Sequence, residues 1–237
     1  MIKIEHLSKK YHDNVVLDDM NLEIHKGDVV GVIGPSGTGK STLLRCINHL
    51  EIPEQGVVYI GEERVELAQK KPKNLLDLRK NTGMVFQKFN LFEKKTALEN
   101  VMEGLVTVKK IKKDEARKIA MQELVNVGMA QWANHYPKHL SGGQQQRVAI
   151  ARALAAQPPV ILADEPTGNL DSASSKEILE ILKSMHKQGK TVILITHDNG
   201  IAAQARRVVR IIDGKIESDF INENYGKEEY VKNQLDA

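Results

Sequence analysis

The run from Gly34 to Ser41, GPSGTGKS, has the residue types and spacing of a phosphate-binding loop. It follows the apolar run VVGVI and opens a segment with helical spacing, which is the context that such a loop requires. Glycine lets the backbone turn its N–H groups inward, and a helix N-terminus favours negative charge. Lys40 is predicted to reach the β- and γ-phosphates of a nucleotide, and the Ser41 hydroxyl to ligate Mg²⁺. An ordinary glycine-rich turn is the alternative, and the matching context disfavours it.

Two adjacent carboxylates end the apolar run VILADEP, Val160 to Pro166. If this run is a strand beside the phosphate loop, its end brings Asp164 near the Mg²⁺, with water between them. Glu165 is then predicted to face the γ-phosphate and to orient or deprotonate a water molecule. The alternative is a solvated turn, which is less favoured beside a phosphate loop.

Gln87 and His197 each follow a buried apolar run, TGMVF and TVILIT respectively. A polar side chain at the carboxyl end of a parallel strand lies at the ligand crevice of an open sheet. Gln87 is therefore predicted to contact Mg²⁺ and the attacking water, and His197 to hydrogen-bond the γ-phosphate. Either residue alone would more often be a structural polar residue.

The run LSGGQQQR, Leu140 to Arg147, contains no strong nucleophile, general base or metal ligand. Ser141 is a favourable N-cap for the helix that follows, and Gly142 and Gly143 permit close approach of a ligand to the backbone. Together they predict a second anion-binding helix N-terminus. A second cradle for the same phosphates would be redundant within one site.

The elements that must position these residues alternate between apolar strands and amphipathic helices. This order predicts an α/β fold with a mainly parallel sheet. The segment 91–155 is richer in helical, Lys/Glu-containing patterns and is predicted to be an insertion into a core of residues 1–90 and 156–221. Residues 222–237 are polar and predict a loosely held tail, and VVRIIDGKI predicts a hairpin.

Composition sets limits on function. The 237 residues carry a net charge of +3, which gives no argument for a nucleic-acid partner. The basic run KKIKK at 109–113 is most simply a solvated surface. The single cysteine, Cys46, excludes an intrachain disulfide, and no apolar run approaches the roughly 20 residues of a membrane span.

The chain carries five motifs in this order: GPSGTGKST, Gln87, LSGGQQQ, VILADEP and ITHD. Their order and spacing resemble those of the ATP-binding subunits of ABC transporters, and the resemblance covers nearly the whole chain. A phosphate loop is shared by many NTPases, whereas its combination with LSGGQ is highly specific. The resemblance implies a single domain with a P-loop NTPase (RecA-like) core, an N-terminal antiparallel β-subdomain and an inserted helical subdomain. It also implies ATP and Mg²⁺ as cofactors.

The resemblance further implies a head-to-tail homodimer that sandwiches two ATP molecules, with LSGGQ of one subunit closing over the γ-phosphate held by the other. Tyr11 is assigned to stack on adenine, and Asp171 to a loop that links the two sites. The nucleotide contacts implied in this way are at Tyr11, Val16, Gly34, Ser36, Gly37, Thr38, Gly39, Lys40, Ser41, Thr42, Ser141, Gly142, Gly143, Gln144 and Asp171.

The resemblance also implies partners. The helical insertion would dock integral membrane permease subunits at the cytoplasmic face of the cell membrane, with a substrate-binding protein outside. ATP would close the dimer and hydrolysis would reopen it.

The type of transporter is indicated by two conflicting stretches. TGMVFQKFNLF and LSGGQQQRVAIARALA are similar to the ATPases of polar amino-acid uptake systems, whereas DEPTGNLDS and LITHDNGIAAQARRVVRIIDGKI are similar to those of lipoprotein-release and macrolide-efflux systems. Amino-acid uptake is favoured because docking specificity should lie in the helical region.

Two other function classes are less favoured. ABC ATPases without a transport role, as in DNA repair or translation, usually carry a long coiled-coil insertion or two tandem ATPase domains. A non-hydrolysing nucleotide-binding module would be expected to lack some of Lys40, Asp164, Glu165 and His197, and all four are present.

Overall fold

The computed structural model describes residues 1–223 and Tyr225. The strands in this part of the chain are β1 Ile2–Tyr11, β2 Asn14–Ile24, β3 Val29–Ile33, β4 Gln55–Ile60, β5 Glu63–Glu66, β6 Thr82–Val85, β7 Val160–Asp164, β8 Thr191–Ile195, β9 Arg207–Ile212 and β10 Lys215–Ile221. The α-helices are α1 Lys40–Ile47, α2 Leu75–Lys80, α3 Ala97–Thr107, α4 Lys113–Asn126, α5 Gly142–Ala155, α6 Ser172–Lys187 and α7 Asn199–Ala202. Short 3₁₀ turns lie at Ala130–Trp132 and Pro137–His139.

The strands form two sheets. A four-stranded antiparallel sheet has the order β2-β1-β4-β5, and a six-stranded sheet has the order β10-β9-β3-β8-β7-β6. Strands β9, β3, β8, β7 and β6 are parallel, and β10 is added to β9 as an antiparallel hairpin. The predicted α/β fold with a mainly parallel sheet and an N-terminal antiparallel part is confirmed.

The central strands β7 and β8 are buried along their whole length because helices or the second sheet cover both faces. One hydrophobic cluster joins the antiparallel sheet, α1 and one face of the six-stranded sheet. A second cluster joins α3, α4, α5 and α6 to the other face. The six-stranded sheet therefore separates the two clusters. The carboxyl ends of its parallel strands lie at the boundary between them.

The segment 91–155 contains helices α3, α4 and α5. Residues 91–96 form a loop, and α3 starts at Ala97, where Thr96 and Glu99 form a reciprocal capping box. Helix α5 packs in the same hydrophobic cluster as strands β6 and β7. The inserted helices thus share a core with the sheet rather than forming a separate body.

Three short elements escaped prediction, namely β5, α2 and α7. The predicted hairpin at VVRIIDGKI is present as β9 and β10. Cys46 packs in α1 with no exposed surface, and burial raises the pKa of its thiol to about 12. The predicted tail, 222–237, lies mostly outside the described residues.

Candidate functional site

The phosphate loop joins the end of β3 to the start of α1. Three of its glycines have positive φ, at 145° for Gly34, 85° for Gly37 and 93° for Gly39. Lys40 is 5% exposed, and its amine donates to the carbonyls of Gly34 at 2.8 Å and Pro35 at 2.6 Å. Burial lowers the pKa of this amine, and the Coulomb fields of Glu165 and Asp164 oppose that change.

Gly34 is the position where the loop passes closest to other backbone. A Cβ placed there would lie 2.0 Å from the Ile211 carbonyl oxygen, so β9 leaves no room for a side chain. By contrast, a Cβ on Gly37 would meet no heavy atom within 4 Å. Glycine is therefore required at Gly34 by both backbone angle and space, and at Gly37 by angle alone.

We expect Gly34→Ala to lower the free energy of unfolding by at least about 2 kcal/mol, because backbone strain and a steric clash act together. The matched variant Gly37→Ala should cost only about 1 kcal/mol, from strain alone. Denaturant unfolding of both variants measures the difference. Equal losses would show that β9 does not constrain the loop at Gly34.

Asp164 lies at the carboxyl end of β7, beside the first turn of α1. It is 5% exposed, and its Oδ1 accepts a 2.6 Å hydrogen bond from the Ser41 hydroxyl. Its Oδ2 lies 3.7 Å from a guanidinium nitrogen of Arg45. A hydroxyl and a carboxylate oxygen in contact are the donors that Mg²⁺ binds in proteins, so Ser41 and Asp164 fit a Mg²⁺ site.

Glu165 follows Asp164 and has a strained backbone, with φ of 45°. Its N–H donates to the Ile195 carbonyl at 3.1 Å, which fixes the residue against β8. Its Oε2 lies 3.3 Å from His197 Nδ1, and the two side chains are 22% and 60% exposed respectively. A non-glycine residue held at positive φ is costly and is common at functional positions.

The side chains of Gln87 and Glu165 both lie close to the backbone of Gly168. A Cβ on Gly168 would lie 2.7 Å from Gln87 Nε2 and 3.3 Å from Glu165 Oε2. The Gln87 carbonyl also accepts a 3.1 Å hydrogen bond from the Asn169 amide. The structure therefore brings Gln87, Glu165 and His197 together beyond the carboxyl ends of β6, β7 and β8.

Tyr11 and Val16 lie on strands β1 and β2, next to the start of α1. Tyr11 is 39% exposed, and burial raises the pKa of its hydroxyl, a change that the neighbouring Thr42 side chain opposes. The Lys9 ammonium lies 4.9 Å from the centre of the Tyr11 ring. The Val16 carbonyl oxygen would be 2.5 Å from a Cβ on Gly39, so this strand packs directly on the loop.

Ser36 is exposed on the outer part of the loop, whereas Thr38 is half-buried. The Thr38 hydroxyl donates to the Pro35 carbonyl at 2.9 Å.

The LSGGQ segment lies at the start of α5, apart from the phosphate loop. Ser141 caps α5, and Gln144 completes a capping box by accepting from the Ser141 N–H at 2.9 Å. A Cβ on Gly143 would meet Ser174 Oγ at 2.6 Å, and that hydroxyl donates to Asp171 at 2.8 Å. None of these described contacts joins LSGGQ or Asp171 to the phosphate loop of the same chain.

Several polar residues that support the site were not predicted from the sequence. Both Gln146 and Arg152 lie on α5. Gln146 donates to the carbonyl of Phe86, and Arg152 donates to the carbonyls of Phe89 and Asn90. Burial lowers the pKa of the Arg152 guanidinium. A usable signal was present, because Gln146 falls on the buried face of α5 with Ile150 and Ala153.

Comparisons with known proteins show the family and the fold of the chain. The family model described as ABC transporter matches residues 17–168, and the chain belongs to that family. Among solved structures, the dimeric post-hydrolysis state of the ATP-binding cassette MJ0796, bound to ADP and Pi, superposes with a TM-score of 0.84 at 40% identity. The match covers 95% of this chain and 100% of the MJ0796 chain.

Two curated relatives are named for amino-acid transport. The chain is 46% identical over 217 residues to the probable amino-acid import ATP-binding protein YxeO of Bacillus subtilis (strain 168), covering 91% of this chain and 87% of that protein. It is 48% identical over 221 residues to the arginine transport ATP-binding protein ArtM of the same organism, covering 92% and 90%.

Within residues 1–223 and Tyr225, every helix is too short or too polar to cross a membrane.

Proposed function

We propose that this chain is the ATP-hydrolysing subunit of an importer for polar amino acids. The observation that carries the proposal is the convergence of the phosphate loop, Asp164, Glu165, Gln87 and His197 at one edge of the six-stranded sheet. Phosphoryl transfer requires positioning and charge stabilisation more than covalent chemistry, and these residues supply both.

Each side chain has a distinct role in this proposal. Lys40 exchanges its loop carbonyls for the β- and γ-phosphates of ATP. Glu165 orients the attacking water and accepts its proton, while Gln87 helps to position that water. His197, beside Glu165, donates to the γ-phosphate and so distinguishes ATP from ADP. Ser41, Gln87 and Asp164 would hold Mg²⁺, which when bound neutralises phosphate charge.

The second anion site, at LSGGQ, acts on ATP held by another copy of the chain. Ser141 caps α5 and bonds Gln144 of the same helix, while Gly143 lies in the first turn and faces Ser174 of α6. A helix N-terminus with two glycines suits a γ-phosphate presented from outside. Asp171, close to Gly143 through Ser174, would connect the two sites of a two-fold homodimer.

A cleft of about 960 Å³ lies between the loop after Gln87 and the turn before LSGGQ. Its lining includes Lys88, Leu91, Lys94, Tyr136, Lys138 and Gln145. We assign it as the docking surface for the permease subunits, because one wall continues into the catalytic loop and the other into α5. A protein docked there sits at the cytoplasmic face of the cell membrane.

Amino-acid import is supported by the names of the relatives and by the helical region that faces the permease. The stretch DEPTGNLDS, which is similar to lipoprotein-release and macrolide-efflux ATPases, lies at the catalytic edge and α6 rather than in the cleft. It therefore has less influence on which permease docks. A substrate-binding protein outside the membrane completes the proposed importer.

The test is to purify the chain with the permease encoded beside it and to reconstitute both in lipid vesicles. We expect ATP-dependent accumulation of labelled polar amino acids once a substrate-binding protein is added, and none with Glu165→Gln. ATP turnover with no amino-acid uptake, and with lipoprotein release instead, would overturn the import assignment while leaving the ATPase intact.

A further inference from the structure

Gln146 is a fully buried polar residue that the proposed mechanism does not use. It lies one turn into α5 and has no exposed surface. Its amide nitrogen donates to the Pro166 carbonyl at 2.6 Å and to the Phe86 carbonyl at 3.2 Å. A primary amide has two N–H donors, so this nitrogen uses its full capacity on two backbone segments.

The two carbonyls have a particular place in the sequence. Phe86 directly precedes Gln87, and Pro166 directly follows Glu165. Phe86 directly follows strand β6, and Pro166 lies just beyond the end of strand β7, so each belongs to a loop that carries one proposed catalytic side chain. The Gln146 side chain thus hydrogen-bonds the backbone directly before Gln87 and directly after Glu165.

The orientation of the amide is fixed by the same contacts. Gln146 Oε1 is buried and makes no hydrogen bond with the described residues. Rotating the amide by half a turn would place this oxygen against two carbonyl oxygens and leave the N–H groups unpaired. Buried unpaired polar atoms are costly, so the observed orientation is the one that keeps both loops bonded.

We propose that Gln146 is a positioning residue for ATP hydrolysis, which sets the spacing of Gln87 and Glu165 by tying their backbones to the helix that begins at LSGGQ. This inference rests on the proposed function. Movement of α5 relative to the sheet would change both loops together. Small errors in the placement of catalytic groups have large effects on rate.

The experiment compares Gln146→Met, which keeps the length but removes both donors, with Gln146→Asn, which keeps the amide on a shorter chain. The matched control is Asn100→Leu. Asn100 is also fully buried, and its amide holds the carbonyls of Phe92, Lys95 and Thr96, which lie away from Gln87 and Glu165.

The first readout is hydrogen exchange in the nucleotide-free protein. With Gln146→Met, amides in both segments, 86–90 and 165–168, should exchange faster, whereas Asn100→Leu should affect 92–96 instead. A uniform increase over the whole chain, or no change at either segment, would overturn the proposal, because a specific link must act on these two segments together.

The second readout is turnover. We expect Gln146→Met to lower kcat at least about tenfold while the Kd for ATP stays within about twofold. Gln146→Asn should restore part of kcat, and Asn100→Leu should keep it. Combined with Gln87→Ala, Gln146→Met should add little further loss, since both act on one arrangement.

Multiplicative losses in the double variant, or full kcat in Gln146→Met, would overturn the positioning role while the ATPase assignment stands. Failure of the wild-type chain to hydrolyse ATP would overturn the proposed function and the catalytic part of this inference. The exchange experiment would still decide whether the backbone link exists.

Discussion

Glu165→Gln is expected to slow ATP turnover by at least about 100-fold, the usual contribution of a positioned general base. The Glu165 backbone N–H donates to the Ile195 carbonyl at 3.1 Å, and one carboxylate oxygen lies 3.3 Å from His197 Nδ1. Glutamine has the same shape but accepts no proton from water. Binding of ATP should persist, because Lys40 and the phosphate loop are unchanged, so the variant should accumulate an ATP-bound dimer. Phosphate release and size-exclusion chromatography measure the two effects.

The matched control for this prediction is Glu177→Gln on α6. Glu177 lies 3.6 Å from Arg147 and has no part in the proposed site. Its turnover should stay close to that of the wild type, because Glu177 is 57% exposed and an ion pair that reaches solvent contributes little. If Glu165→Gln retained turnover comparable to this control, Glu165 would not be the catalytic base.

Ser141→Arg is expected to abolish ATP-driven dimerisation and turnover while leaving ATP binding by the isolated chain nearly intact. The large cation would block the N-terminus of α5, where a γ-phosphate from another copy is proposed to bind. The phosphate loop would not be disturbed, since the described contacts of Ser141 lie within its own helix. Equilibrium binding of a nucleotide and sedimentation of the ATP-bound protein separate the two properties.

Ser141→Ala separates the blocking effect from loss of the helix cap. It removes the hydroxyl that accepts from Gln144, at a cost of about 1 kcal/mol, and adds no bulk. Dimerisation should therefore weaken less than in Ser141→Arg. Gly143→Asp is a poorer probe, because a side chain there would collide with Ser174 in the same chain. Equal loss of nucleotide binding and dimerisation in Ser141→Arg would contradict the proposed role of LSGGQ in the neighbouring site.

The sequence was informative wherever a pattern had a single physical solution. The buried strands β3, β7 and β8 are continuous apolar runs, and the polar residues after them meet at one edge because parallel strands end together. Elements with weak patterns escaped prediction. Strand β5 has one buried residue, Val65, and α2 spans six residues without a side-chain cap.

The supporting contacts were not predictable for a different reason. The sequence places Gln146 on the buried face of α5 but does not indicate which groups its amide meets. That depends on how α5 packs against β6 and β7, which residues far apart in the chain determine together. The same holds for Arg152, whose partners are carbonyls of Phe89 and Asn90 in left-handed backbone.

The most direct test of the account mixes two inactive variants. Lys40→Ala lacks a working phosphate loop, and Ser141→Arg lacks a working LSGGQ. If each ATP is held between two copies, a mixed dimer has one site with both defects and one intact site. A mixed dimer keeps one of its two sites, so the mixture should show turnover that neither variant shows alone, up to about half that of the wild type if every dimer is mixed. No turnover beyond that of the separate variants would contradict a site shared between two copies of the chain.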